Sequence, residues 1–122
     1  MMKPTDFAKY LTDFLAVYLP HQKNVSKNTI HSYRDTFKLL LRYCQDVKGF
    51  PAERLTLDGL DSQWITNFLE WLETDRKCSI STRNQRLAAI HSFFRYVQAE
   101  EPAGLFHFQK ISAIPIKKAK KK

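Results

Sequence analysis

Apolar residues recur every three or four positions in four separate stretches of this chain, and this spacing constrains the fold more than any other feature. It is the spacing of one buried face of an α-helix, whereas a half-buried β-strand alternates apolar and polar residues. The 122 residues include only 3 Gly and 5 Pro, too few for the many turns of an all-β domain. A chain of this length also fits one domain with one core. The sequence therefore predicts an all-α domain of four helices.

The predicted helices begin at capping signals and end at breakers. Ser26 and Asp61 are placed as N-caps, because their side-chain oxygens can accept from free backbone N–H groups. Pro20 is expected to end the first helix, and Gly49 lies where the second can stop. The four helices are expected at residues 6–19, 26–46, 62–74 and 79–97.

Beyond Pro102 the helical spacing is lost, and the chain closes on the basic sequence IPIKKAKKK. A run of lysines without an apolar face is typical of a solvated linker. The sequence therefore predicts a folded domain over residues 1–108 and a basic linker over residues 109–122.

Charge is distributed unevenly along the chain. Twenty Lys and Arg against twelve Asp and Glu give a formal net charge of +8, which favours a polyanionic partner. Residues 58–75 contain acidic side chains and no Lys or Arg, whereas residues 76–97 contain Lys and Arg and no acid. One surface is thus expected to face an anion and another to avoid it.

Several classes of protein are disfavoured by the composition. Cys44 and Cys78 form no Cys-x-x-Cys pair, so neither a zinc site nor a secreted disulfide framework is indicated. No apolar run approaches the roughly 20 residues of a membrane span, and the first residues lack the apolar core of a secretory signal. A cytoplasmic protein without a metal, a cofactor or a membrane partner is expected.

The second and fourth predicted helices share a start. SKNT at residues 26–29 and SIST at residues 79–82 both fit Ser-x-[Asn/Ser]-Thr, and an Arg-Tyr pair follows sixteen positions after each Ser. A Ser N-cap satisfies one backbone N–H of the first turn, and the remaining N–H groups suit a phosphate. Helix capping alone explains either start, but its repetition on two basic helices favours an anion-binding role as well.

Basic side chains recur along one side of the second predicted helix. At 100° per residue they fall within an arc of about 80°. We call this set the basic rail: Lys27, His31, Arg34, Lys38 and Arg42. A row of phosphate-contacting groups and an ordinary solvated helix face are both consistent with it.

The fourth predicted helix carries polar residues opposite its apolar face, which is formed by Leu87, Ile90, Phe94 and Val97. The residues turned away from that face are Ser81, Asn84, Gln85, Ala88 and Ser92. Asn and Gln can pair with adenine in the major groove and Arg with guanine, while a small residue permits close approach. Arg83 and Arg86 lie nearer the core edge, close enough to the helix start to reach phosphates or bases. A polar first turn without a ligand is the alternative.

Three segments together resemble the N-terminal core-binding domain of the tyrosine recombinases, the phage-integrase family. They are SKNTIHSYRDTFKLLLRYC, LTLDGLDSQWITNFLEWL and SISTRNQRLAAIHSFFRYV, in this order. The resemblance extends over nearly the whole chain from Phe7. It implies a four-helix, SAM-like orthogonal bundle that forms half of a clamp around duplex DNA, with the second and fourth helices toward the major groove. The Asn-Pro that often precedes this family's linker is absent here, which leaves the exit path of the chain open.

Site residues also follow from the resemblance by position. It places Lys27, Thr29 and His31 where the family's second helix approaches DNA. It places four residues where the fourth helix does so: Ser81, Asn84, Gln85 and Arg86. With the rest of the basic rail and Arg83, the predicted DNA-binding set is Lys27, Thr29, His31, Arg34, Lys38, Arg42, Ser81, Arg83, Asn84, Gln85 and Arg86.

No catalytic residue is predicted in this chain. The family's tyrosine nucleophile and its supporting arginines, lysine and histidines belong to a second, larger domain, and all five tyrosines here fall on predicted helices. The resemblance thus implies a DNA-binding fragment of a recombinase. Its expected partners are a double-stranded recombination site, the catalytic domain of the same protein, and further recombinase subunits in a tetramer on DNA.

Two other functions remain open. A stand-alone DNA-binding regulator could use the same basic helices, although a helix-turn-helix needs a tight turn between its two helices and an acidic helix separates them here. A helical protein-interaction module is the other alternative, and an exposed patch containing Trp64 and Trp71 would favour it.

Overall fold

The computed structural model describes residues 4–118, without the side chains of residues 104–106. The chain divides into two compact units, residues 1–60 and residues 61–122. Every regular element in the described part of the chain is helical. The all-α prediction is therefore confirmed.

The first unit opens with helix α1, Asp6–Asp13, which continues directly into a π-helical segment, Phe14–Gln22. Pro20 lies inside this segment, so the prediction that Pro20 ends the first helix is wrong. A proline cannot donate to the carbonyl four residues back, which is why it normally breaks an α-helix. Here the wider π turn carries the chain past Pro20, and the Lys23 N–H closes it by donating to the Tyr18 carbonyl over 2.8 Å.

Helix α2 of the first unit spans Lys27–Asp46. Ser26 is its N-cap, as predicted. Gly49 has a φ of +64°, a conformation that L side chains rarely adopt. The turn at Gly49 lets the Phe50 N–H donate to the Cys44 carbonyl over 2.9 Å, which confirms Gly49 as part of the stop signal.

An aromatic cluster joins the π-helical segment to α2. The Phe14 ring is completely buried and stacks on Tyr18 and Tyr33 at centroid distances of 5.9 and 6.2 Å. Phe37 meets the same ring edge-on at 6.4 Å. These separations are those of favourable aromatic pairs, so the cluster holds the first helix against α2.

The segment between α2 and the second unit also buries apolar side chains. It contains a short 3₁₀ turn, Ala52–Arg54, and then buries Leu55, Leu57 and Leu60. The Asp6 carboxylate accepts a hydrogen bond from the Leu57 N–H at 3.0 Å. This long-range bond ties the connecting segment to the start of α1.

The second unit contains helices α3, Ser62–Thr74, α4, Ile80–Glu100, and α5, Leu105–Ser112. The predicted N-cap of α3 is confirmed, because the Asp61 side chain accepts from the Trp64 N–H at 2.8 Å. Both α3 and α5 pack against α4. As a result α4 buries more than the single face that its sequence predicts: Leu87, Ala89, Ile90, Ser92, Phe93, Phe94, Tyr96 and Val97.

Helix α5 corrects the prediction that helical structure ends near Pro102. After a 3₁₀ turn at Pro102–Gly104, α5 buries Phe108 and Ile111, and the Phe108 ring lies 5.7 Å from that of Phe94. The predicted count of four helices is therefore one too few. The boundary proposed between residues 108 and 109 falls inside α5.

Two structural findings concern membrane spans and metal sites. Within residues 4–118, no helix combines the length and apolar character that a membrane span requires. In the same range, no group of three or more His, Cys, Asp or Glu side chains could hold a metal ion. Cys44 and Cys78 are both free thiols.

Candidate nucleic-acid interface

The basic rail lies on the surface of α2. All five of its side chains are exposed, as the wheel predicts: Lys27, His31, Arg34, Lys38 and Arg42. In the part of the chain that the structure describes, none of the five takes part in a hydrogen bond or an ion pair. Asp35 is exposed on the same helix, but no ion pair joins it to the rail in the described structure.

The N-terminal half of the rail borders an open depression of about 260 Å³ in the first unit. Lys27, His31 and Arg34 line it on the α2 side. Leu15 and Pro20 belong to its apolar wall, so the π-helical segment shapes it. The depression thus combines basic groups with an apolar surface.

The repeated sequence start of α2 and α4 corresponds to a repeated structure. The Ser26 hydroxyl accepts from the Thr29 N–H at 3.3 Å and donates to Thr29 Oγ1 at 3.0 Å. Ser79 makes the same two contacts with Thr82, each at 3.1 Å. Both serines thus act as N-caps. Thr29, a predicted DNA-binding residue, is half-buried. An additional phosphate contact at either helix start stays a prediction.

The first turns of α4 expose only part of the predicted polar face. Ser81, Gln85 and Ala88 are exposed. Ser92 is only 8% exposed, so its predicted position on the outer face is wrong. Helix α4 is covered on more than one side, since both α3 and α5 pack against it. The exposed members of the predicted polar face therefore lie in the N-terminal part of α4.

Arg83 does not reach out from the helix start as expected. It is 4% exposed, and its guanidinium Nη1 donates to the Pro115 carbonyl and to Asn84 Oδ1, each at 2.9 Å. The sequence placed Arg83 near the core edge but left the C-terminal tail unattached. Because the tail covers this position, Arg83 is a buried structural cation.

Asn84 and Arg86 are both half-buried. The Asn84 side-chain amide is already engaged, since Nδ2 donates to the Lys117 carbonyl at 2.7 Å and Oδ1 accepts from the Lys117 N–H at 3.1 Å. The side chains predicted on α4 thus separate into two groups. Ser81 and Gln85 face solvent, whereas Arg83 and Asn84 hold the tail.

The two tryptophans do not form the exposed patch that a protein-interaction module would favour. Trp64 and Trp71 are half-buried, and Trp71 stacks on Phe68 at a centroid distance of 6.1 Å. The Arg76 guanidinium lies 5.7 Å from the Trp71 ring centroid. The large apolar side chains that are exposed in the described chain are others: Val17, Val47, Phe50 and Ile116.

Comparison with known proteins identifies the domain. Residues 11–101 match the family described as "Phage integrase, N-terminal SAM-like domain". The chain belongs to this family. The match confirms the resemblance inferred from the order of the three sequence segments and the SAM-like fold class.

Two proteins of Sinorhizobium fredii are relatives of this integrase domain. The first, named "Putative integrase/recombinase y4rC", is 40% identical over 118 residues, which cover 97% of this chain and 36% of that protein. The second, "Putative integrase/recombinase y4rD", is 38% identical over 112 residues, covering 92% of this chain and 40% of that protein. The domain thus spans less than half the length of either relative. No solved structure matches it significantly.

Sequence reasoning missed three participants in the integrase domain's polar contacts: Glu73, Pro115 and Lys117. In the sequence Glu73 is only one acid of the segment 58–75, but in the structure its Oε2 lies 2.8 Å from Lys117 Nζ. The tail residues are recognised through main-chain atoms, which leave no signature in side-chain identity. A signal for α5 was present, because Phe108 and Ile111 are spaced three apart.

Proposed function

We propose that this integrase domain binds duplex DNA at a recombination site, as the N-terminal clamp domain of a longer site-specific tyrosine recombinase. The basic rail carries the proposal. It presents exposed basic side chains along one face of α2, and none of them forms an ion pair within residues 4–118. A domain with a net charge of +8 and such a row of cations suits the phosphate backbone.

The length of the rail agrees with a phosphate-contacting role. Lys27 and Arg42 are fifteen residues apart, which corresponds to about 22 Å along a helix axis. One DNA strand presents a phosphate about every 3.4 Å of duplex axis, so several phosphates lie within reach of the rail. These contacts supply affinity and orientation without reading sequence.

Sequence reading is assigned to the N-terminal part of α4. Gln85 and Ser81 are exposed there, and Ala88 beside them has no bulk to hold the helix away from a groove. A Gln amide pairs with the N6 and N7 atoms of adenine. Thr29 on α2 and Arg86 on α4 are half-buried and are proposed to make additional contacts to DNA. Arg83 is removed from the proposed contact set because it is buried.

The breaking and rejoining of DNA is proposed to require a second domain. The curated relatives are more than twice as long as this chain, which is enough for a catalytic domain. We propose that the recombinase acts in the cytoplasm, with that domain and further subunits in a tetramer on DNA as its partners. Within this chain, the domain's contribution is to grip and orient the duplex.

Neutralising single residues of the rail tests the proposal. Lys38→Ala or Arg42→Ala is expected to weaken binding to all duplexes alike, because the variant leaves one phosphate without its cation. The slope of log K against log salt should become shallower by about 0.9 for each phosphate that is no longer neutralised. The measurement is a fluorescence-anisotropy titration of labelled duplex at several salt concentrations.

Lys9→Ala is the matched control for the rail variants. Lys9 is an exposed lysine on α1, outside the rail, so its removal changes the net charge by the same amount. Its salt slope should stay close to that of the unaltered chain. A slope unchanged in both rail variants would overturn the phosphate assignment.

A further inference from the structure

The start of the C-terminal tail is attached to the second unit by its main chain. Asn84 on α4 contacts both backbone polar groups of Lys117, and Arg83 contacts the Pro115 carbonyl. Residues 115–118 have no regular secondary structure. Their position is thus determined by side chains of α4 rather than by a helix or strand of their own.

The hydrogen bonds of Asn84 determine the orientation of its amide. Oδ1 faces two donors, the Lys117 N–H at 3.1 Å and Arg83 Nη1 at 2.9 Å. Nδ2 faces one acceptor, the Lys117 carbonyl at 2.7 Å. Exchanging the amide oxygen and nitrogen would set donors against donors, so only one orientation satisfies all three contacts. The edge of the amide that could pair with adenine is therefore already occupied by the tail.

Arg83 also contacts both the tail and the Asn84 side chain. Its guanidinium is almost fully buried, and a buried cation requires hydrogen-bond acceptors to offset the loss of water. Pro115 has no N–H and can only accept. One Arg83 nitrogen, Nη1, joins the Pro115 carbonyl to Asn84 Oδ1, so the two side chains act together on the tail.

Two further contacts and one buried side chain hold the same stretch of chain. Lys117 Nζ pairs with Glu73 on α3 at 2.8 Å, and Ile114 is 8% exposed. His91 Nε2 lies 3.1 Å from the Ile111 carbonyl. Burial lowers the pKa of His91, which favours a neutral ring that donates from Nε2. The end of α5 and the start of the tail are thus both attached to α4.

We infer that Arg83, Asn84 and Glu73 form a tail clamp, which fixes where the lysine-rich segment leaves the domain so that its lysines contact DNA phosphates. The clamp holds Lys117 beside Asn84, which directly precedes Gln85 on α4. Lys117 itself is paired with Glu73, and four lysines follow it in the sequence: Lys118, Lys120, Lys121 and Lys122. The role in DNA contact rests on the proposed function, whereas the clamp itself does not. Asn84 is a positioning residue in this arrangement and reads no base.

Asn84→Ala tests the clamp without any DNA. Asn84→Ala removes the acceptor for the Lys117 N–H. Exchange of that amide with water should become about tenfold faster, since losing one hydrogen bond changes the equilibrium between protected and open amide by roughly a factor of ten. The measurement is amide–water exchange NMR on the isotope-labelled 122-residue chain. Gln85→Ala is the control, because Gln85 is the exposed neighbour on the same helix and contacts no tail atom in the described structure. Unchanged Lys117 exchange in Asn84→Ala would overturn the clamp.

Asn84→Ala also tests the proposed link to DNA. Binding should weaken by about threefold to tenfold on a preferred duplex, selected from a random pool, and equally on random duplex, with a shallower salt slope. The ratio of the two affinities should stay constant, because no base contact is removed. A fall in that ratio would make Asn84 a base reader and contradict its assignment. Undiminished affinity would overturn the link to DNA. If the unaltered chain binds no duplex at all, the proposed function fails, and the exchange experiment still decides the clamp.

Discussion

Replacing Phe14 by Ala is expected to lower the free energy of unfolding by about 3–5 kcal/mol, the usual cost of deleting a buried aromatic side chain. The Phe14 ring is completely buried and meets three others, those of Tyr18, Tyr33 and Phe37. Its removal leaves a cavity where the π-helical segment packs on α2. Urea unfolding followed by far-UV circular dichroism gives the change.

Val17→Ala is the matched control for Phe14→Ala. Val17 belongs to the same π-helical segment but is 40% exposed, so a change within about 0.5 kcal/mol is expected. Trp64 and Trp71 both lie on α3, so their fluorescence reports the second unit while circular dichroism reports both. A loss below about 1 kcal/mol for Phe14→Ala, well short of the usual range for a buried aromatic ring, would contradict the packing described here.

Gln85→Ala is expected to reduce affinity for the preferred duplex by about 1–3 kcal/mol and to affect random duplex much less. Gln85 is exposed near the start of α4, with Ala88 beside it, so its amide can reach a base edge. The salt slope should hardly change, because no phosphate contact is removed. The fold should be retained, since an exposed Gln→Ala change within a helix is close to neutral. Anisotropy titrations on the two duplexes give the difference.

Gln98→Ala is the control for Gln85→Ala. It makes the same chemical change on the same helix, but far from the N-terminal turns of α4. Neither duplex should distinguish this variant from the unaltered chain. Equal weakening of Gln85→Ala on both duplexes would place Gln85 among the phosphate contacts, and no effect on either would show that this face meets only water.

Local chemistry made the helix starts predictable. Ser26, Asp61 and Ser79 each accept from a backbone N–H three residues later, and that contact depends only on neighbouring residues. The exposure of the basic rail was predictable for the same reason, since helical spacing alone places its members on one face.

Non-local contacts account for what the sequence could not predict. Pro20 reads as a helix breaker, yet the π-helical segment that packs on α2 continues past it. The attachment of Arg83 and Asn84 to the tail could not be predicted from local spacing, because their partners lie more than thirty positions away, at Pro115 and Lys117. Side-chain patterns do not reveal a tail that is recognised through its main chain.

The most direct test of DNA binding through α2 and the start of α4 is an NMR titration of the isotope-labelled chain with duplex DNA. Amide signals of the rail residues Lys27, Arg34 and Lys38, and those of Ser81 and Gln85, should shift with increasing DNA and return when salt is raised. The signal of Lys9 on α1 should stay in place. Shifts confined to residues outside the rail and the start of α4, or no shifts at low salt, would contradict the proposed interface.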